Sequence, residues 1–252
     1  MKQKTLGAIV LAAGKGKRMN SKRKNKVTFP LGNRPMILHA VNLLEAIEIG
    51  TIIVVVGFAK KSVVDVLRDT SVIFAEQRKR LGTAHACSRA LLKLPRHITD
   101  VLVLQGDDSA FYKQEILKKL IESHISSRAT LTFLTLALDN PFGLGRVVRD
   151  ALGQVASVVE EKDATEKQRL ISEINPACYL FQVKFLRKYL KKIKKSSITG
   201  EYYLTNLIGI AIKNKEKVET VKIKGMPWRG VNTEEELKVA EKLFQVYEKD
   251  NN

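Results

Sequence analysis

The sequence predicts an α/β fold: a mostly parallel mixed sheet flanked by helices, in a single domain. Three observations predict it. Residues 5–12 form a short apolar run with no charge, the pattern of a strand buried on both faces. Thr51–Val56 is a β-branched run ending at Gly57. From there to Leu138, strand-like runs alternate with stretches of helical spacing, as repeated β-α units of a parallel sheet do.

The elements follow in order. Residues 35–49 carry helical spacing, with Ile37, Val41, Leu44 and Ile47 apolar, and Pro35 suits a first helical turn. Residues 60–68 read as a short helix and 72–75 as a short strand. Residues 82–94 are helical, 101–104 form a fourth apolar strand, 113–123 a helix and 129–138 a strand. The second half changes character. Residues 145–150 and 154–160 predict a hairpin around Ala151-Leu152-Gly153, and 175–181 another strand. Helices are expected at 183–193 and near 201–213, then a last strand at 218–223. A terminal helix over 233–247 has Thr233 as N-cap and Glu235 and Glu236 in its first turn. No internal repeat, low-complexity tract or linker interrupts this order.

Composition narrows the setting. The hydrophobic fraction of 44% in 252 residues is ordinary for a chain with a sizeable core. No apolar run is long enough to span a bilayer, and the start lacks a signal-peptide pattern, so a cytoplasmic protein with no membrane partner is expected. Cys87 and Cys178 have no metal-ligand spacing and sit in apolar context, which predicts buried, reduced thiols. The formal charge is +18, which suits nucleic acid, an anionic membrane or anionic small substrates. Its clusters lie at residues 22–26, 78–80 and 191–195; the first two flank candidate ligand loops, and most of the rest read as a solvated face.

The first strand runs into Leu11-Ala12-Ala13-Gly14-Lys15-Gly16-Lys17-Arg18-Met19. Small residues at Ala12, Ala13 and Gly14 let a ligand approach the backbone, and free N–H groups with three cations suit phosphate oxygens. The loop lacks G-x-x-x-x-G-K-[ST], and Met19 stands where a third glycine of G-x-G-x-x-G belongs, so neither a Walker-type loop nor a dinucleotide fold is indicated. Ligands of open parallel sheets bind beyond the carboxyl ends of the strands. The fourth strand ends there at Gln105-Gly106-Asp107-Asp108, whose carboxylates could hold Mg²⁺ or simply cap a turn. Leu81-Gly82-Thr83-Ala84-His85-Ala86 opens a helix whose free N–H groups could face an anion. His85 lies on an apolar helix face and reads as a packed histidine; no nucleophile arrangement assembles from Ser109, His85 and Cys87.

Together these pieces resemble the sugar-1-phosphate nucleotidyltransferases. The resemblance rests on Leu11-Ala12-Ala13-Gly14-x-Gly16-x-Arg18-Met19, Lys26, Leu81-Gly82-Thr83-x-His85-Ala86 and Gly106-Asp107. Five later motifs narrow it to the uridylyltransferase domain of bacterial N-acetylglucosamine-1-phosphate uridylyltransferase: Pro141-x-Gly143-x-Gly145-Arg146, Val159-Glu160-x-Lys162-Asp163-Ala164-Thr165, Glu173-Ile174-Asn175, Gly200-Glu201-Tyr202-Tyr203-x-Thr205 and Gly230-Val231-Asn232. They occur in family order from about Leu6 to Asn232.

The resemblance implies a Rossmann-like sheet of the nucleotidyltransferase type. Residues of about 1–110 would form a nucleotide-binding half and about 111–232 a sugar-binding half, with 233–252 as a terminal helix and no C-terminal left-handed β-helix. It implies an Mg²⁺-dependent enzyme that takes UTP and a sugar-1-phosphate, N-acetylglucosamine-1-phosphate first among them, and releases pyrophosphate. Leu11, Ala12, Ala13 and Gly14 would cradle the nucleotide. Gln77, Gly82 and Thr83 would read the uracil side, next to Gln105 and Gly106. Arg18 and Lys26 would bind the reacting phosphates. Asp107 and Asn232 would hold Mg²⁺. Gly145, Glu160 and Asn175 would contact sugar and ribose, and Tyr203 and Thr205 would line the sugar pocket.

The chain departs from that pattern in several places. Gln105 stands where Tyr is usual, Arg80 where Gln is usual, and Pro176-Ala177 where Thr-Gly is usual. Lys24-Asn25 precede Lys26 where Leu-Pro is common, in a loop one residue longer. A related enzyme using another sugar or base (CTP, dTTP) therefore stays open, as does a catalytically silent regulatory or nucleic-acid-binding protein on the same fold. Few aromatics interleave the basic clusters, so no specific nucleic-acid partner is expected.

Overall fold

The computed structural model describes residues 5–16, 19 and 23–249. The uncharged run at the start becomes β1 (Leu6–Ala12), buried along its whole length. A short hairpin, β2 (Pro30–Leu31) and β3 (Arg34–Pro35), leads into α1 (Met36–Ala46). Pro35 precedes the helix with extended ψ rather than forming its first turn. Then come β4 (Thr51–Val56), α2 (Lys60–Val66), β5 (Ile73–Glu76), α3 (Thr83–Leu91) and β6 (Asp100–Gln105). The chain continues through α4 (Gln114–Ser127), β7 (Leu131–Ala137), β8 (Gly145–Arg149), β9 (Val155–Val159) and the short α5 (Glu166–Arg169). It ends with β10 (Glu173–Asn175), β11 (Tyr179–Gln182), α6 (Val183–Tyr189), α7 (Asn206–Lys213), β12 (Val218–Ile223) and α8 (Glu234–Lys249).

Ten strands form one mixed sheet in the order β5-β4-β1-β6-β11-β7-β10-β8-β9, with β12 beside β7. The β5-β4-β1-β6 portion is entirely parallel. Side chains alternate across the sheet, so β1 sends Ala8, Val10 and Ala12 into one layer and Ile9, Leu11 and Ala13 into the other. The first layer is covered by α1, α4 and α8 through Ile37, Val41, Leu120 and Phe244. The second is covered by α3, α6 and α7 through Cys87, Leu186 and Ile208. The fold is thus an α/β single domain with helices on both faces of the sheet. Both cysteines are free and buried, and burial pushes the Cys87 thiol up to about 12.

Three sequence expectations are corrected. The strand expected over 175–181 is two strands, β10 and β11, with a break between them. Pro176 has no N–H to give a ladder, and Ala177 stands in the left-handed region at φ 56°. The break lets β10 pair with β8 while β11 pairs with β6. The helix expected near 201–213 starts only at Asn206, because the preceding residues bond to another loop: Tyr202 N–H donates to Leu81 O, and Ala84 N–H to Tyr202 O. The helix expected over 183–193 ends as α-helix at Tyr189 and tightens into a 3₁₀ turn. At the last helix the expected cap is present, since Glu236 N–H donates to Thr233 Oγ1.

An alanine in the left-handed region costs roughly 1–2 kcal/mol, partly offset by the backbone entropy a glycine would lose. Ala177→Gly is expected to stabilise the protein by about 0.5–1 kcal/mol. Urea denaturation checks it as a higher midpoint at unchanged slope; an unchanged or lower midpoint would show that the turn carries no such strain.

Candidate active site

The site lies at the carboxyl edge of the parallel strands. β1 and β6 are in register with Leu11 opposite Gln105, and Gly106 N–H donates to Leu11 O at 3.0 Å. Leu11, Ala12, Ala13 and Gly14 therefore leave the sheet beside Gln105, Gly106 and Asp107. The loop also leans on the end of β4. Phe58 N–H donates to Ala13 O, and a Cβ on Gly57 would sit 2.8 Å from that same oxygen. Only glycine permits this approach. Arg18 lies outside the described residues.

Lys26 opens a 3₁₀ turn, Lys26–Thr28, that runs under the loop. Its ammonium forms an ion pair with Asp107, donates to the backbone oxygen of Val231, and donates to Asn232 Oδ1 at 3.2 Å. One cation thus meets both residues expected to hold a metal. The Lys26 and Asp107 side chains are only 13% and 16% exposed, so solvent screens their pairing little. Asn232 is fixed in turn: its N–H donates to Glu236 Oε2 at 2.6 Å, at the start of α8.

Asp108 departs from the sequence picture of two carboxylates at one edge. It is buried, and its Oδ1 has no partner. Burial, with the charge of Asp107 beside it, pushes its carboxyl well above the usual range. Asp107 is the carboxylate that pairs with Lys26, while the Lys26 charge only partly offsets the rise at Asp108.

The fit to Mg²⁺ can be tested on these donors. Among the described residues no three His, Cys, Asp or Glu side chains cluster as a metal cage. Mg²⁺ does not need one; it is commonly held by one or two protein oxygens together with phosphate oxygens and water. Asp107 Oδ2 and Asn232 Oδ1 are hard oxygen donors that already share one cationic group. The donor set fits.

Around β5 and α3, Gln77 is buried, and its Nε2 donates to Gly82 O at 3.0 Å and to His85 Nδ1 at 2.9 Å. Desolvation and Arg89 lower the His85 pKa, and the ring packs against Gln77 as its helix position predicts. Gly82 has φ 101°, and a Cβ there would lie 2.5 Å from Tyr202 O. The donors at the start of α3 are less free than the sequence implies, because Ala84 N–H is taken by Tyr202 O. Thr83 Oγ1 accepts from Leu204 N–H at 2.9 Å. These bonds bind the nucleotide-side loop to the segment carrying Tyr203 and Thr205.

The second group gathers on β8, β9 and β10. Gly145 pairs with Asn175 across the ladder, and the space beside Gly145 opens towards Glu160 Oε2. Thr205 Oγ1 donates to Glu160 Oε1 at 2.8 Å. Asn175 is buried; its Nδ2 donates to Tyr179 Oη at 2.6 Å, and its Oδ1 accepts from Ala177 N–H. Gly145, Glu160, Asn175 and Thr205 form one cluster. Tyr203 stands apart, sharing a 2.6 Å hydrogen bond with Thr199 Oγ1 and lining a cavity of about 430 Å³ with Asp163, Lys195 and Asn206. A separate cavity of about 500 Å³ involves Asp100 and Gln182, at the opposite edge from these residues.

The family model described as "Nucleotidyl transferase" matches residues 7–244. The chain belongs to the nucleotidyl transferase family. It is 43% identical over 240 residues to "Bifunctional protein GlmU" of Caldicellulosiruptor saccharolyticus, covering 94% of this chain and 51% of that protein. It is 39% identical over 239 residues to the GlmU of a Geobacillus species, covering 94% and 51%. The chain spans about half the length of the curated relatives it matches. A solved structure, a putative glucose-1-phosphate thymidylyltransferase from Bacillus anthracis in complex with sucrose, matches with a TM-score of 0.80 over 95% of each chain at 22% identity. That likeness shows the nucleotidyl transferase fold. Among the described residues no helix is long and apolar enough to cross a membrane.

One residue of this nucleotidyl transferase site escapes sequence reasoning. Asn25 reads as one polar residue in a basic loop, yet it is 1% exposed and bonds to the loop after β1. The only signal for it is the departure from Leu-Pro before Lys26.

Burial pushes the Glu160 carboxyl up, the nearby Asp163 charge adds to this, and the Thr205 hydroxyl opposes it. The folded protein then keeps a proton that the unfolded chain has released, so Glu160 makes stability fall as pH rises from about 4.5 through its raised folded value. Glu160→Gln keeps the Thr205 bond and removes that fall. Urea denaturation at several pH values is expected to show the variant gaining on the parent across this window. Parallel curves would show that Glu160 titrates normally.

Proposed function

We propose that this nucleotidyl transferase moves a uridylyl group from UTP to a sugar-1-phosphate, with N-acetylglucosamine-1-phosphate as the first candidate, giving a UDP-sugar and pyrophosphate. The observation that carries the reading is the meeting of Lys26, Asp107 and Asn232 at one point beside the loop of Leu11 to Gly14. The ordered motifs that resemble the uridylyltransferase domain, and the identity to GlmU proteins, supply the base and the sugar.

The reaction is a displacement in which a sugar-1-phosphate oxygen attacks the α-phosphorus and pyrophosphate leaves. It calls for positioning and charge neutralisation more than for a protein nucleophile. The backbone of Leu11 to Gly14 receives the nucleotide. Gln77, Gly82 and Thr83 stand on the base side, where the Gln77 amide is held by Gly82 O and His85. Lys26 brings a preorganised positive charge to the reacting phosphates, and Arg18 adds a second by resemblance. Asp107 and Asn232 would hold Mg²⁺, which when bound offsets charge on the α-phosphate and the leaving group. Glu160, fixed by Thr205, accepts hydrogen bonds from sugar or ribose hydroxyls together with Gly145 and Asn175.

A second reading changes only the base or the sugar. Gln105 and Pro176-Ala177 favour it, because both departures flank substrate loops. Pyrophosphate release from UTP, CTP, dTTP and ATP against a panel of sugar-1-phosphates separates the two; activity with UTP and N-acetylglucosamine-1-phosphate is expected to lead. No release with any pair, using folded protein and Mg²⁺, would sink both.

The site makes sharper demands. Asp107→Ala is expected to nearly abolish turnover, and Asn232→Ala to do so less severely because a neutral amide holds a cation more weakly. Mg²⁺ titrations check this: wild-type turnover at limiting metal in either variant would refute its assignment. Losing one preorganised charge-stabilising donor costs about 10²–10³ in rate, so Lys26→Ala is expected to lower kcat by about two orders of magnitude. Lys24 is exposed, and Lys24→Ala is expected to have a mild effect that salt screens. Equal, small losses in both variants at low and high salt would demote Lys26 to a bystander.

A further inference from the structure

Asn25 makes more hydrogen bonds than any loop role requires. Its Nδ2 shares its two hydrogens among Phe58 O at 2.8 Å, Ala12 O at 3.0 Å and Gly14 O at 3.2 Å. Its Oδ1 accepts from Val27 N–H at 3.2 Å, capping the turn that begins with Lys26. Its own N–H donates to Ser62 Oγ at 3.0 Å, and Ser62 is anchored to Ala59 O. Three carbonyls on one side of the amide and an N–H on the other leave its orientation unambiguous. One buried side chain thus joins the end of β1, the turn after β4, the start of α2 and the segment bearing Lys26. The loop also rests on the lysine stem directly, since a Cβ on Gly16 would lie 3.0 Å from Lys26 Cβ.

We propose that Asn25 is the positioning residue of the catalytic lysine: its amide clamps the Lys26 turn to the carbonyls of the nucleotide loop. Lys26 then stands at a set distance from both the bound phosphates and Asp107. A leucine and a proline at positions 24 and 25 could not do this. Proline has no backbone N–H to reach Ser62, and neither side chain has a donor for the three carbonyls. A buried polar group so fully satisfied fixes one local arrangement, whereas its loss leaves three inward-facing carbonyls short of a donor.

The inference rests on the nucleotidyl-transfer reading, and a double-mutant cycle tests it separately. In the parent, Asn25→Ala is expected to lower kcat by about 10–100-fold, the scale of a misplaced catalytic group. The KM for nucleotide should move by less than about threefold, because the loop still binds the phosphates. In the Lys26→Ala background the same substitution is expected to change kcat by no more than about twofold, since a lysine that is absent cannot be misplaced. Asn25→Ser keeps an oxygen for Val27 N–H but is too short for the carbonyls, so it should behave like the alanine variant. If Asn25→Ala does not fold, the cycle is run with Asn25→Ser, and melting curves confirm that each variant is folded at the assay temperature. Equal fold-losses in both backgrounds, or a parental kcat in Asn25→Ser, would overturn the clamp while leaving the nucleotidyl-transfer reading intact. A parental kcat in Lys26→Ala would overturn the clamp alone, whereas no product from the parent with any substrate pair would overturn the nucleotidyl-transfer reading.

Discussion

The site depends on the parallel register of β1 with its two neighbours. Ala12 lies opposite Val56 on one side, and Leu11 opposite Gln105 on the other. Three strands therefore end at one level, and the loops that leave them must share a small volume. That crowding explains the residue choices there. Gly57 is glycine because its Cβ would meet Ala13 O, and Gly106 has the Val27 side chain at 3.2 Å from where a Cβ would stand. The small residues after β1 leave room for a ligand and for the residues that brace the loop from beneath.

The two halves of the sheet solve different problems. The parallel half carries few charges and sets backbone in place. The antiparallel half places acids against partners: Arg149 is bidentate to Glu173, Arg146 pairs with Glu161, and Thr205 holds Glu160. Arg146 is almost fully buried, so removing Glu161 would strand a charge, not merely lose a contact. The halves are joined by the bonds of Leu81 and Ala84 to Tyr202 and of Leu204 to Thr83. These bonds connect the Leu81–Ala84 loop to the segment in which Thr205 holds Glu160.

The parallel half was legible in the sequence because its strands are continuous apolar runs, and burial on both faces leaves no other use for Val-Val-Val at residues 54–56. The later elements were harder, because local propensity competes there with partners distant in sequence. Residues 201–205 carry no helix breaker, yet Leu81 and Ala84, more than a hundred positions earlier, claim their backbone groups. The strand expected over 175–181 keeps its apolar pattern across a break that only backbone geometry at Ala177 reveals. Lys26 stood out by motif resemblance alone, since composition makes it one cation of several. Asn25 was hidden for the same reason: its partners are thirteen, eleven and thirty-three residues away, and no window of sequence contains them.

This distinction between one cation and several bears on the +18 charge. Much of it sits on exposed side chains such as Lys184, Lys188, Lys191, Lys192 and Lys194 along and after α6. Such charges raise the local concentration of anionic ligands and speed encounter, but salt screens them within about 10 Å. They cannot distinguish a transition state from a bound ground state, because a diffuse field acts nearly equally on both. Lys26 differs in having three fixed partners and little exposure. On the nucleotidyl-transfer reading proposed above, its charge is held where the reaction concentrates negative charge, and it need not be reorganised when the phosphates arrive. On the proposed reading the overall charge serves arrival, while a single lysine braced by Asn25 serves the chemical step.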